Sequence, residues 1–242
     1  MFCVALAGCS GGGRPIPAGE LTIVAPPSLT DAITGMAHAF TSTYPAVRIV
    51  TVFEPDSRIA ERAAQTPPPD LVAAEDPATL QSAGLTEFVH FARGQLVLAV
   101  DPDNPLTIRG LADLARPEVR VALCDPAEPC GAVAEQVLAA AEVTVATAQF
   151  EPDVRSALRL VTEGSADVAL VYRSDAVAAG EEVMTIEVLE SSTVLADFVA
   201  AVPPDAPNAG VARMFLEYLA SSPVSEALTR DGFRPVDAAG TA

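Results

Sequence analysis

The sequence predicts an α/β protein in which short apolar strands alternate with helices. Half of the 242 residues are hydrophobic and 19% are charged, which is typical of a folded globular chain. Short runs rich in Val, Ile, Leu and Ala alternate with segments whose apolar residues recur at helical spacing. This alternation is typical of parallel-rich sheets whose faces are covered by helices.

The predicted elements follow one another along the chain. The predicted strands are 21–25, 47–53, 71–74, 94–100, 119–123, 168–172 and 197–202. The predicted helices are 29–44, 57–64, 131–141, 154–163, 174–178, 209–219 and 224–229. The prolines of residues 66–70 end the second helix. The segment 237–242 is small and polar and is expected to be a loose tail.

Charge and composition exclude several function classes. Fourteen basic residues, all Arg, stand against 32 acidic ones, for a net charge of −18. No nucleic-acid partner is expected, because binding to phosphates needs a basic surface. The sequence shows no Ser-His-Asp arrangement, Gly-rich phosphate loop or zinc-protease motif. We therefore expect a protein that is not an enzyme and that uses no cofactor.

The N-terminus indicates an extracytoplasmic protein. Residues 6–9, LAGC, match the bacterial lipobox, in which the Cys9 thiol takes a diacylglyceryl group. Residues 1–9 then form a signal remnant and 10–19 a flexible tether, so the membrane is reached through a lipid anchor only. Because a positive n-region is missing, we expect that the true start lies upstream or that the sequence is trimmed. An ordinary apolar N-terminus is the alternative.

Two cysteines lie six residues apart in a proline-containing loop. Cys124 and Cys130 form a disulfide in an oxidising compartment, or they remain free thiols. A metal site would need further ligands, and the two histidines, His38 and His90, lie far away in sequence.

Hydroxyl or acidic residues precede several predicted helices. They are Ser28, Ser57, Asp153 and Ser174. Each is suited to be an ordinary N-cap. A helix start also presents free N–H groups that favour an anion, so several starts at one crevice would form an anion site.

Four stretches resemble the molybdate-binding proteins of bacterial ABC importers, a branch of the periplasmic-type solute-binding proteins. The most specific block is DVRSAL at 153–158, followed by EGSAD at 163–167 and VYRSDA at 171–176. The others are VAPPSLTDA at 24–32, FEPDSRIA at 53–60 with PPDLVAAED at 68–76, and FLEYL at 215–219 with GF at 232–233. The resemblance covers roughly residues 20–235.

The resemblance implies a periplasmic binding protein type II-like fold with two Rossmann-like lobes. Two crossover strands, near 93–98 and 197–202, would join lobe one (20–93 plus 203–236) to lobe two (94–202). The ligand would be held in the cleft, and the lobes would close on it.

The resemblance also implies a set of neutral donors to a tetrahedral oxyanion. They are Ser28, Ser57, Cys130, Val154 and Tyr172, acting through hydroxyls or backbone N–H groups. Molybdenum would be present only as the bound molybdate oxyanion, with no direct protein ligands. Tyr172 could instead be a core tyrosine at a strand end.

One position departs from the family pattern. Aligned without a gap, the second serine of the family falls on Asp56 and not on Ser57. Either Ser57 moves in, or Asp56 points away and caps its helix, or Asp56 accepts a proton from a ligand such as hydrogen phosphate.

These expectations together describe a monomeric, lipid-anchored receptor that captures molybdate or tungstate and delivers it to the membrane subunit of an ABC permease. Sulfate, phosphate or a small organic anion are the alternative ligands. An enzyme or sensor on the same two-lobe fold is the alternative function, since a fold does not fix an activity.

Overall fold

The computed structural model describes residues 18–236, in which nine strands and eight α-helices alternate. The strands are β1 (Gly19–Ala25), β2 (Val47–Phe53), β3 (Leu71–Ala74), β4 (Val89–Val100), β5 (Val121–Cys124), β6 (Ala148–Glu151), β7 (Val168–Tyr172), β8 (Met184–Ile186) and β9 (Leu195–Ala201). The helices are α1 (Thr30–Thr43), α2 (Asp56–Ala63), α3 (Pro77–Ser82), α4 (Pro129–Ala140), α5 (Val154–Thr162), α6 (Arg173–Ala179), α7 (Ala209–Leu219) and α8 (Ser222–Arg230). The predicted α/β class is confirmed.

The strands form one mixed sheet in the order β2-β1-β3-β9-β4-β7-β5-β6, with β8 pairing to β4. Strands β1, β2 and β3 are parallel to one another and form the first strand group. Strands β5, β6 and β7 are likewise parallel and form the second strand group. Between them, β4 and β9 run antiparallel to each other and to their outer neighbours.

The long strand β4 connects the two strand groups. Its first half pairs with β9, and its second half, from Leu96 to Val100, pairs with β7. The segments predicted as crossover strands lie in or at the end of β4 and β9. The division of the chain into lobes at these strands stays a prediction.

The core follows the strands of both groups. All residues of β3, β5 and β7 are buried, as expected for parallel strands covered on both faces. One large apolar cluster extends through both groups, and a smaller cluster around Ile59 and Leu80 lies under α2 and α3.

Several predictions concern residues outside the described range. The signal remnant, the lipidation site Cys9 and the tail at 237–242 lie outside residues 18–236, as does nearly all of the tether, whose last residue, Gly19, begins β1. Within the described range, no helix is long and apolar enough to cross a membrane.

Candidate functional site

The carboxyl ends of the parallel strands in the two groups face each other, and hydrogen bonds join the two groups across the narrow seam called the crevice below. From the first group, β1 leads to Ser28, β2 to Asp56 and β3 to Glu75. From the second group, β5 leads to the loop before α4, and β7 ends at Tyr172. The carboxyl ends of parallel strands are where open α/β sheets bind ligands, so this crevice is the candidate site.

The carboxylate of Glu75 brings together two of the residues predicted from the sequence. Ser28 Oγ donates to Glu75 Oε1 at 2.6 Å, and Tyr172 OH donates to Glu75 Oε2 at 3.0 Å. The exposed fractions are 2% for Ser28, 4% for Glu75 and 0% for Tyr172. The hydroxyls come from different strand groups, so this buried carboxylate bridges the crevice.

A glycine in the central strand leaves room for the Tyr172 ring. A Cβ added at Gly94 would lie 2.8 Å from the rings of both Tyr172 and Phe198. These rings pack edge-to-face, with centroids 5.5 Å apart. The ring of Tyr172 therefore belongs to the core, its hydroxyl bonds to Glu75, and its role as a donor to a ligand stays a prediction.

Asp56 points to the turn that carries Glu75. Its carboxylate accepts the Glu75 backbone N–H at 3.0 Å through Oδ2 and the Thr79 hydroxyl at 2.8 Å. Of the three options for Asp56, the structure shows the side chain pointing away, but it does not cap its own helix. Helix α2 begins after Pro55 without a side-chain cap, and Asp56 instead fixes the β3–α3 turn.

Ser57 lies in the first turn of α2 and contacts the second strand group through its backbone. Its N–H donates to Glu128 Oε2 at 3.2 Å, and the residue is otherwise exposed. Glu128 immediately precedes α4, so a carboxylate of the chain lies against the start of α2.

The other predicted donors lie at helix starts. Cys130 is in the first turn of α4, and its disulfide partner Cys124 ends β5, with Cα atoms 5.8 Å apart. Val154 opens α5, where Asp153 caps the helix by accepting the Ser156 N–H at 2.8 Å. The first N–H groups of a helix have no partner within it, so both residues offer backbone donors.

Of the four predicted N-caps, only Asp153 caps its helix. Ser28 lies in a short 3-10 turn and bonds to Glu75, Ser57 is already inside α2, and Ser174 is inside α6. The cap positions of α2 and α6 are Pro55 and Tyr172, so Ser57 and Ser174 each lie two residues after the cap. The hydroxyl pattern therefore located helix starts, but it did not identify their caps.

An ion-pair network joins helices of the two strand groups beside the crevice. Arg155 donates to Asp175 on α6 and to Asp31 on α1. Asp175 is fully buried, and its second oxygen Oδ2 has no hydrogen-bond partner, as is also true of the Ser174 hydroxyl. Burial raises the pKa of Asp175 to about 7, against the opposing effect of Arg155.

Burial also controls the protonation of the crevice carboxyls. It raises the pKa of Glu75 to about 7, although the hydrogen bonds from Ser28 and Tyr172 act to lower it. Burial and the neighbouring charge of Glu75 raise the pKa of Asp56 well above its usual value. The Tyr172 pKa is also raised, first by burial and then by Glu75, so its hydroxyl keeps its proton and stays a donor.

Sequence reasoning missed Glu75, although it selected both of its hydroxyl partners. The available signal was its position, directly after the fully apolar strand Leu71–Ala74 at a strand-to-helix junction. Within residues 18–236, no group of three or more His, Cys, Asp or Glu side chains is arranged to hold a metal ion.

Comparisons with known proteins agree with this architecture. Residues 21–234 match the family described as bacterial extracellular solute-binding protein. The molybdate-binding protein ModA of Mycobacterium tuberculosis is 29% identical over 219 residues, which cover 88% of this chain and 84% of that protein. The sulfate-binding protein SubI of M. tuberculosis has the same fold, with a TM-score of 0.78 and 20% identity, over 91% of this chain and 88% of that one. The periplasmic molybdate-binding protein of Azotobacter vinelandii also has this fold, with a TM-score of 0.74 and 16% identity, over 90% of this chain and 100% of that one.

Proposed function

The chain belongs to the family of bacterial extracellular solute-binding proteins, and on this premise we propose that it captures a tetrahedral oxyanion, molybdate or its close analogue tungstate, in the crevice. The bound anion is then delivered to the membrane subunit of an ABC permease. The similarity to ModA over most of both chains supports molybdate as the ligand. The lipid on Cys9 holds the receptor at the outer side of the cell membrane.

The observation that carries the proposal is the convergence of two neutral hydroxyls on one buried carboxylate. Ser28 and Tyr172 solvate the negative charge of Glu75 at 2.6 and 3.0 Å. Donors fixed in this way stabilise an anion without a cation, so the net charge of −18 does not prevent anion binding at this position.

Backbone donors at helix starts complete the proposed site. The first turns of α4 and α5 present N–H groups at Cys130 and Val154. In the first turn of α2, the Ser57 N–H already lies against a carboxylate, that of Glu128. Ser57 therefore takes the role of the family's second serine and donates to the ligand from the start of α2. Asp56 does not take this role, because its carboxylate is turned to the Glu75 backbone.

Calorimetric titration with molybdate, tungstate, sulfate and phosphate tests the proposal. We expect molybdate and tungstate to bind, and sulfate to compete weakly or not at all. Tighter binding of phosphate or sulfate than of molybdate would contradict the ligand assignment.

Ser28→Ala and Tyr172→Phe test the two hydroxyl donors. Each variant should lose about 1.5 kcal/mol of binding free energy, roughly tenfold in Kd. This is the lower end of the range for a charged hydrogen bond, because each hydroxyl also stabilises Glu75 in the ligand-free protein.

Matched controls are Ser42→Ala and Tyr44→Phe, which remove the same hydroxyls near the end of α1 and should leave Kd unchanged. Wild-type affinity in both crevice variants would show that Ser28 and Tyr172 do not contact the ligand.

A further inference from the structure

We propose that the Glu75 carboxyl group is tethered in the oxyanion position between Ser28 and Tyr172, so that a fully ionised oxyanion binds only when Glu75 carries a proton. The inference rests on the proposed function and identifies the residue that determines which ionic form of ligand the crevice accepts. It starts from the carboxylate that the structure places on both predicted hydroxyl donors.

The first step is the number of protons available for donation. A serine or tyrosine hydroxyl carries a single O–H, so each donates to one strong acceptor at a time. In the structure, both protons are directed to the two oxygens of Glu75. An oxyanion held by Ser28 and Tyr172 therefore takes both donors away from Glu75.

The second step is the cost of releasing an ionised Glu75. A buried carboxylate without its hydrogen bonds is strongly destabilised, more so beside a dianion. The titratable and charged groups that face Glu75 are Asp56, Glu128, Tyr172 and Asp175. Three of the four are acids that disfavour a further negative charge, and Arg155 is already bonded to Asp175 and Asp31.

The third step is what protonation achieves. A neutral Glu75 carboxyl no longer repels the dianion, and its O–H becomes a donor to one of the oxyanion oxygens. Its backbone stays in place, because Asp56 accepts the Glu75 N–H at 3.0 Å, so only the side chain has to rotate. One proton thus converts Glu75 from a competitor of the ligand into a donor to it.

Burial places this protonation close to neutrality. The pKa of Glu75 is raised to about 7, and a dianion beside it raises the pKa further. Below pH 7 the carboxyl is already protonated, so affinity for a dianion should depend little on pH. Above pH 7, affinity should fall about tenfold for each pH unit, since one proton enters with the ligand.

Calorimetry of molybdate binding in buffers of different ionisation enthalpy measures this proton directly. At about pH 8 we expect uptake close to one proton per molybdate, decreasing toward zero at about pH 6. Glu75→Gln keeps the shape of the side chain but cannot ionise, so its uptake and its pH dependence should both be absent. Glu61→Gln removes an exposed acid on α2 and serves as the matched control. Glu75→Ala replaces the glutamine variant if that protein does not fold.

The outcomes separate this inference from the proposed function. At about pH 8, molybdate binding by the wild type without proton uptake, or uptake that persists in Glu75→Gln, overturns the role of Glu75 and leaves the receptor function standing. No binding of any tested oxyanion by the wild type or by Glu75→Gln at either pH overturns the proposed function and the inference with it.

Discussion

Replacing Glu75 by glutamine should make the ligand-free protein more stable at alkaline pH. Glu75 is 4% exposed, and burial raises its pKa from 4.5 to about 7. A carboxyl with a raised pKa in the folded state binds its proton more tightly there than in the unfolded chain. Its stabilising contribution is therefore complete below about pH 4.5 and is lost as the pH rises through 7.

The size of this effect follows from the pKa difference. A rise from 4.5 to about 7 corresponds to about 3 kcal/mol of unfolding free energy lost between acidic and alkaline pH. Glutamine does not ionise and still accepts a hydrogen bond from Ser28 or Tyr172 through its carbonyl oxygen. The variant should therefore lose up to about 3 kcal/mol less than the wild type over the same pH range.

Urea unfolding at about pH 5 and about pH 8 measures the difference. The pKa of Asp175 is also about 7, so its share of the pH dependence remains in both proteins and does not obscure the comparison. Glu61→Gln, on the exposed side of α2, should follow the wild type at both pH values. If the free energy of unfolding changed with pH by the same amount in the wild type and in Glu75→Gln, Glu75 would titrate as a solvated acid and the reasoning would be refuted.

Three further predictions concern the loop before α4 and the N-terminus. Gly131→Ala places a Cβ 2.0 Å from the Asp125 carbonyl oxygen. Thermal unfolding should therefore show a loss of about 1–3 kcal/mol of stability, and titration should show a weaker oxyanion affinity. A variant with unchanged stability and affinity would contradict this packing. Reduction of the Cys124–Cys130 bridge opens a short loop, so it should cost less than about 3 kcal/mol of stability and should lower the oxyanion affinity. Two free thiols counted before reduction, together with an affinity that does not change with reductant, would contradict this prediction. Cys9→Ser should remove the protein from the membrane fraction in cell fractionation, and continued membrane association would show that the LAGC match is accidental.

The sequence predicted most of the fold, because buried parallel strands leave a clear pattern. Runs such as Leu71–Ala74 and Val168–Tyr172 are apolar throughout, and helices between them show regular spacing. The missed elements are shorter or more polar. Strand Met184–Ile186 has three residues, helix Pro77–Ser82 has six, and strand Ala148–Glu151 is mostly half-buried.

Long strand β4 was predicted only in part. Its second half is a continuous apolar run, whereas its first half includes His90 and Arg93 and contains an irregularity in its pairing with β9. Polar residues fit there because the strand is still partly exposed, which a pattern of buried residues does not reveal.

The sequence predicted the hydroxyl donors of the candidate site but not the buried carboxylate that they contact. Ser28 and Tyr172 could be selected because the resemblance assigns hydroxyls to those positions. The contact of both with Glu75 depends on how the two strand groups face each other, which no local pattern encodes. The orientation of Asp56 depends on the β3–α3 turn, whose N–H it accepts. The sequence does not distinguish an acidic residue that accepts a hydrogen bond from a turn from one whose carboxylate lies in a binding site.

A crystal structure of the chain grown with molybdate, with the molybdenum located by its anomalous scattering, tests the central claim most directly. The account predicts one molybdenum atom in the crevice, with oxyanion oxygens in hydrogen-bonding distance of Ser28 Oγ and Tyr172 OH. The Glu75 carboxyl should be rotated off both hydroxyls. Molybdenum bound elsewhere, or Glu75 still holding both hydroxyls in a saturated crystal, would contradict the account.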